Sequence, residues 1–210
     1  MPANSYGIVV EGPYDAAVYP TLIRRILNRE VPVIARLCGG KVSANNILLA
    51  LLGELQGEMA WRRRQNAQKN PELEVEVWRR MKALVIRDSD GKDPQALKAE
   101  MAEKVGKRRW EFSEGAHVCI VRRELEVWLL ADAAAVGEVA IARGGRAVAE
   151  VQGTLEDFED PKQRLRRLLT DAGVEYTETV CAEIAASANL ETIGYRCPSF
   201  RTFEQRVTDC

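Results

Sequence analysis

A chain of 210 residues with 46% hydrophobic and 29% charged side chains is long enough for one generous domain. Such a chain buries roughly 70% of the surface its unfolded form exposes, so neither a disulfide framework nor a structural metal is needed to hold it. Thirty basic residues stand against 31 acidic ones, a net charge of −1, which excludes coating nucleic acid by bulk charge and leaves room only for a local basic channel.

The cysteines, Cys38, Cys119, Cys181, Cys197 and Cys210, are odd in number and include no C-x-x-C pair. That excludes a zinc knuckle and a thioredoxin motif and fits a reduced, cytoplasmic protein. Cys38 and Cys119 lie beside apolar runs and read as small core residues. No basic region followed by an apolar stretch opens the chain, so no signal peptide is expected, and no run approaches the ~20 apolar residues of a membrane span.

In chain order, Tyr6 to Val10 is an apolar, β-branched run that reads as a strand and ends at Glu11-Gly12-Pro13. Ala17, Val18, Leu22, Ile26 and Leu27 then recur at helical spacing over residues 15–28. A short strand is expected over 31–37, followed by Gly39-Gly40 and a helix starting near Ser43, whose hydroxyl suits an N-cap. Ile47, Leu48, Leu51, Leu52 and Leu55 form the apolar face of that helix. Residues 61–80 carry charge without a clean pattern and read as helix continuation, a loop around Pro71 and a lead-in to the next strand. The strand Lys82 to Arg87 ends in Asp88-Ser89-Asp90-Gly91, a turn-forming sequence. A helix over 94–105, a strand over 116–121 and a helical run over 124–130 follow.

Alternating strand and helix through residue 132 predicts an α/β fold with an open, mainly parallel sheet flanked by helices. Residues 133–210 read as a helical extension packed on that core, with helices over 161–171, 178–188 and 199–207. Pro161 suits a first helical turn, where a missing N–H costs nothing.

In such a sheet, ligands bind beyond the carboxyl ends of the strands. Glu11 ends the first strand, and Asp88 and Asp90 end the third. If the chain stays extended there, Asp88 and Asp90 point the same way. Two close carboxylates repel unless a cation sits between them, and Mg²⁺ takes one or two carboxylates plus waters and phosphate oxygens. The adjacency of the two strands is not fixed by the sequence. Asp-Ser-Asp-Gly is also a common turn, and an acid ahead of Gly12-Pro13 also favours a helix N-terminus.

Glu124 and Glu126 follow the fourth strand. Either could join the metal site; Glu126 adds a metal or water-positioning group or is an exposed helix acid paired with Arg122 or Arg123. Lys41 after Gly39-Gly40 and Lys162 after Pro161 are candidates for phosphate or nucleic-acid contact, set against ordinary surface lysines. The segment around Lys41 is not a P-loop, since Val42 stands where a hydroxyl residue is needed. His117, the only histidine, reads as structural, and Trp128 among leucines reads as core rather than as a base-stacking platform. The clusters Arg62-Arg63-Arg64 and Lys104, Lys107, Arg108, Arg109 read as solvated faces.

Val9-Val10-Glu11-Gly12 followed by Asp15 resembles the first motif of Toprim domains, and Val85-Ile86-Arg87-Asp88-Ser89-Asp90 resembles their D-x-D motif. Toprim domains occur in topoisomerases, bacterial primases, small-RNA maturases and OLD-type nucleases. The resemblance implies Glu11 as general acid/base and Asp88 and Asp90 as holders of Mg²⁺, with Mn²⁺ a substitute. Residues 122–132, Arg-Arg-Glu-Leu-Glu-Val-Trp-Leu-Leu-Ala-Asp, are similar to a hallmark of a small prokaryotic Toprim-like family of unassigned function, allied to RloB-like proteins. Asp160-Pro161-Lys162 and Cys197-Pro198-Ser199-Phe200 are similar to its later landmarks. Relatives are often found with ATPases in defence loci. The expectation is a Mg²⁺-dependent nuclease acting on DNA or RNA, with an ATPase subunit or a second copy of the chain as partner. The alternative is a non-catalytic Toprim subunit that binds an ATPase or nucleic acid.

Overall fold

The computed structural model describes residues 3–39, 44–69 and 77–209. Four parallel strands, β1 (Ser5–Val10), β2 (Val33–Leu37), β3 (Met81–Asp88) and β4 (Ala116–Val121), form one open sheet in the order β2-β1-β3-β4. Among the described residues nine α-helices surround it. They are α1 (Pro13–Leu27), α2 (Ala44–Lys69), α3 (Pro94–Gly106), α4 (Glu126–Leu130), α5 (Ala133–Ala142), α6 (Pro161–Asp171), α7 (Glu178–Ser187), α8 (Leu190–Arg196) and α9 (Pro198–Thr208). The expected α/β class with a helical C-terminal region is the fold observed.

The sheet is buried on both faces, which is why its central strands are continuously apolar rather than alternating. Tyr6, Ile8 and Val10 of β1, Leu84 and Ile86 of β3, and Cys119 and Val121 of β4 face α1 and the C-terminal helices. Val9, Ala83, Val85 and Val118 face α2 and α3, where Leu48, Leu52, Leu55, Met59, Met101 and Val105 lie. Gly7 lets α2 come close, because a Cβ there would stand 3.0 Å from the Met59 sulfur.

The path from β1 through α1 to β2 runs one way along the sheet, and the path from β2 through α2 to β3 runs back past β1. Right-handed crossovers in opposite directions put α1 and α2 on opposite faces. The reversal leaves a crevice between the carboxyl ends of β1 and β3, the place where open α/β sheets bind ligands. These strands are direct neighbours, with Val9 opposite Val85.

The C-terminal helices share the α1 core. Trp128 is fully buried, edge-on to Tyr19 and to Phe200, and its indole N–H donates to Ser199 Oγ at 2.9 Å. Cys197-Pro198-Ser199-Phe200 thus anchors α9 to α4. The last helix is also tied to the sheet. Tyr6 donates its hydroxyl to the Val207 carbonyl at 2.7 Å, and buried Lys82 donates to the carbonyls of Arg206, at 2.9 Å, and Asp209. Asp132 caps α5 through the N–H groups of Ala134 and Ala135 and also accepts from Asn189 at 2.7 Å.

Several boundaries differ from the sequence expectation. The run expected to be helical from residue 124 begins as α4 at Glu126, because Arg123 takes a left-handed backbone (φ 69°) that turns the chain after β4. Helices α5 and α8 were not expected. The sequence of α5 is apolar on nearly every side and so lacks an amphipathic signature, and α8 is only seven residues long. The proposed cap Ser43 and the loop around Pro71 lie outside the described residues.

Candidate functional site

Glu11 directly follows β1, and extending the β1–β3 register by two residues sets it beside Arg87. The Arg87 Nε lies 2.8 Å from Glu11 Oε1, and the Asp88 N–H donates to the same oxygen at 3.3 Å. Arg87 Nε and Nη1 are shut off from solvent without an aligned hydrogen-bond acceptor among the described residues, so the contact with Glu11 is a charge pair. The carboxylate at the end of β1 is therefore clamped to the end of β3.

Asp88 is the last residue of β3 and is half-buried. Burial holds its carboxyl well above the ordinary carboxylate range, with further push from Asp15, Glu11, Glu126 and Asp90. Asp90 is exposed and takes a left-handed backbone, φ 49°. The chain is thus not extended through Asp88-Ser89-Asp90, and the expectation that both side chains point one way by strand alternation is corrected. What fixes the turn is β4. Ser89 donates its N–H to the Val121 carbonyl at 2.9 Å and accepts from the Arg123 N–H at 2.8 Å, while the Asp90 N–H donates to the Arg123 carbonyl at 3.2 Å.

Asp15 enters the site from the first turn of α1, where its Oδ2 accepts from the Gly12 N–H at 2.8 Å. Burial pushes its carboxyl up to about 6. The Gly12 N–H pulls the other way, Glu126 and Glu11 push up, and Lys162 pulls down. Asp15 belongs to the Glu11-Gly12-x-x-Asp15 motif, but its four-residue offset from Glu11 acquires meaning only once α1 starts at Pro13 and swings it back over the strand ends.

Glu126 is buried, 5% exposed, and its Oε1 accepts from the Tyr176 hydroxyl. It is not an exposed acid paired with Arg122 or Arg123, because α4 turns it inward. Tyr176 stacks on Tyr14 with ring centroids 4.7 Å apart, and the Lys162 ammonium sits 5.0 Å from the Tyr14 centroid. Sequence reasoning had no way to find Tyr176, since 50 residues separate it from Glu126. Glu124 accepts from the Lys162 backbone N–H at 3.1 Å and so helps cap α6; burial and the neighbouring Glu126 and Asp90 raise its carboxyl.

Glu11, Asp15, Asp88, Asp90 and Glu126 are thus electrostatic neighbours at one sheet edge. Glu124 and Lys162 border the group, and Lys41 lies outside the described residues. Among the described residues no three acids, cysteines or histidines stand close enough to form a ready-made metal cage. His117 points elsewhere, with its Nε2 2.7 Å from the Glu114 carbonyl. Of the basic clusters, Arg62 pairs with Glu58, Lys104 with Glu100 and Lys107 with Glu103, as on solvated helix faces.

Among the described residues no helix is long and apolar enough to cross a membrane. A family model described as a domain of unknown function (DUF4276) matches residues 10–208. No curated protein and no solved structure matches the chain.

Proposed function

The chain belongs to the DUF4276 family, and on the acids at its sheet edge we propose that it is a Mg²⁺-dependent phosphodiesterase of Toprim type that cuts nucleic acid. The observation that carries this reading is the crowding of Asp88. Burial first, and then the four carboxylates Asp15, Glu11, Glu126 and Asp90, push its proton affinity up at the switch point of a parallel sheet. Glu11 is matched by the Arg87 guanidinium at 2.8 Å. A divalent cation relieves such repulsion, and an all-oxygen donor set suits a hard ion. Mg²⁺ keeps several waters and takes one or two carboxylates beside substrate phosphate.

Asp88 and Asp90 are the residues that would hold the ion, with Asp15 next to them. When bound, it would supply charge stabilisation for a phosphoryl oxygen and for the leaving oxygen. The chain's own groups do the rest. Water attacks phosphorus, the P–O bond to the leaving oxygen breaks, and Glu11 handles the proton, its position held by Arg87 and the Asp88 N–H. Tyr176 fixes the Glu126 carboxylate, and Lys162, set over Tyr14, places a cation at the rim where a phosphate would arrive. The resemblance of the Glu11 and Asp88-Ser89-Asp90 segments to Toprim motifs supports the same assignment, and a place in a defence system with an ATPase partner follows from that resemblance alone.

The test is cleavage of labelled single- and double-stranded DNA and RNA in Mg²⁺, Mn²⁺ or EDTA, with wild type beside Asp88→Ala/Asp90→Ala. Metal-dependent cutting that disappears in the double variant supports the proposal. A folded wild type that is stabilised by metal yet cuts nothing refutes autonomous nuclease activity and favours the partner-dependent subunit.

A further inference from the structure

Next to Asp90 a cleft opens between the β3–α3 loop and the end of β4, lined by Ser89, Gly91, Lys92, Gln95, Arg122 and Arg123 among others. Arg123 stands out in three ways. Its backbone is left-handed, φ 69°, which an arginine adopts only at some cost and which recurs at functional sites. That backbone is braced on the acidic segment itself, through Ser89 Oγ and the Asp90 N–H. Its guanidinium lies over Gly91, where a Cβ would stand 3.0 Å from Nη1, so the residue after Asp90 has no side chain to block it.

The charge is also unspent. Arg122, one residue earlier, donates to Asp157 at 2.7 Å, and Arg87 pairs with Glu11. Among the described residues no carboxylate lies within 4.0 Å of the Arg123 or Lys92 charge. Asp93, also on the cleft wall, has both carboxylate oxygens taken by the N–H groups of Gln95 and Ala96. Glu100, on α3, is paired with Lys104 at 2.5 Å and feels Lys92 only as a weaker, more distant charge.

We propose that Arg123, with Lys92, forms a phosphate subsite that holds a nucleic-acid strand one step along its backbone from the phosphodiester presented to Asp88 and Asp90. The inference rests on the nuclease reading and adds a residue that positions the strand. A guanidinium presents a planar fork of donors suited to two phosphate oxygens. Setting it beyond the acids lets the strand cross an otherwise repulsive edge. The left-handed turn at residue 123 is what aims it there.

The test uses the full chain in EDTA, so that no strand is cut, with a labelled single-stranded oligonucleotide read by fluorescence anisotropy at several salt concentrations. Arg123→Gly removes the side chain and relieves the backbone. Its expected signature is opposite in sign on two readouts, with Tm up by about 2–4 °C and binding weaker by about tenfold. The slope of log affinity against log salt should fall by about 0.7, one phosphate contact on a single strand. Arg123→Gln, with the backbone conformation kept, should show the same binding loss without the rise in Tm. Unchanged affinity and salt slope in both variants overturn the subsite, as does a wild type that binds no strand. If wild type binds in an Arg123-dependent way but cuts nothing in any metal, the nuclease reading falls and the subsite stands. If wild type cuts and the Arg123 variants keep its KM and affinity, the reverse holds.

Discussion

Replacing Asp15 by asparagine in the metal-free protein should make it more stable at pH 8, although the change removes a charge from the candidate site. The Asp15 carboxyl, ordinarily near 3.8, is pushed up to about 6 by burial and by Glu126 and Glu11, against the pull of Gly12 and Lys162. The folded state therefore holds this proton up to about pH 6, while the unfolded chain releases it near 3.8. Stability from the neutral form is complete below the lower value and is lost as pH rises through the upper one. The gap, at about 1.4 kcal/mol per pH unit, corresponds to about 3 kcal/mol at pH 8, and about half of that is already lost at pH 5. Asparagine keeps an oxygen to accept from the Gly12 N–H, so the helix start is preserved. At about 2–4 °C per kcal/mol for a chain of this size, Asp15→Asn should melt several degrees above wild type at pH 8 in EDTA, with the difference roughly halved at pH 5. Thermal melts of the two proteins across this range are the assay. A variant that melts no higher than wild type at pH 8, or a difference that does not shrink at pH 5, refutes a carboxyl raised by burial and by its acidic neighbours. Millimolar Mg²⁺ should raise the wild-type Tm at pH 8 and narrow the gap, since binding to the native state alone stabilises it.

Three further expectations follow from contacts around the same edge. Glu11→Ala leaves the Arg87 guanidinium buried without its counter-charge and should destabilise the protein by about 3–5 kcal/mol; chemical denaturation measures this, and a loss below about 1 kcal/mol would mean that water already reaches Arg87. Tyr176→Phe removes the hydroxyl that donates to buried Glu126 and should cost about 1–3 kcal/mol; chemical denaturation measures this, and an unchanged stability would mean that the hydroxyl adds nothing to the packing of the two rings. Lys82→Met keeps the buried stem but removes the donor to the last carbonyls of α9, and about 2 kcal/mol should be lost; hydrogen exchange should show the loss first in residues 198–208, and uniform exchange throughout would contradict the anchoring role.

The sequence by itself determined the strands and most helices, because β1 and β3 are apolar runs that stop at acids, and α6 starts at a proline. It placed Glu11, Asp88 and Asp90 at the strand ends, since the carboxyl edge of a parallel sheet follows from βα alternation alone. It could not decide that β1 and β3 are neighbours. That depends on the order β2-β1-β3-β4, a choice among packings whose local propensities are alike. Nor could it decide the fate of Glu126. Counted along the chain it is one acid in a charged run, and only the short helix α4, entered through the left-handed Arg123, turns it inward toward Tyr176. Chain position set which acids reach the edge. Tertiary structure decided which partners each one meets there, because burial, charge pairing and hydrogen bonding at that edge come from segments far apart in sequence.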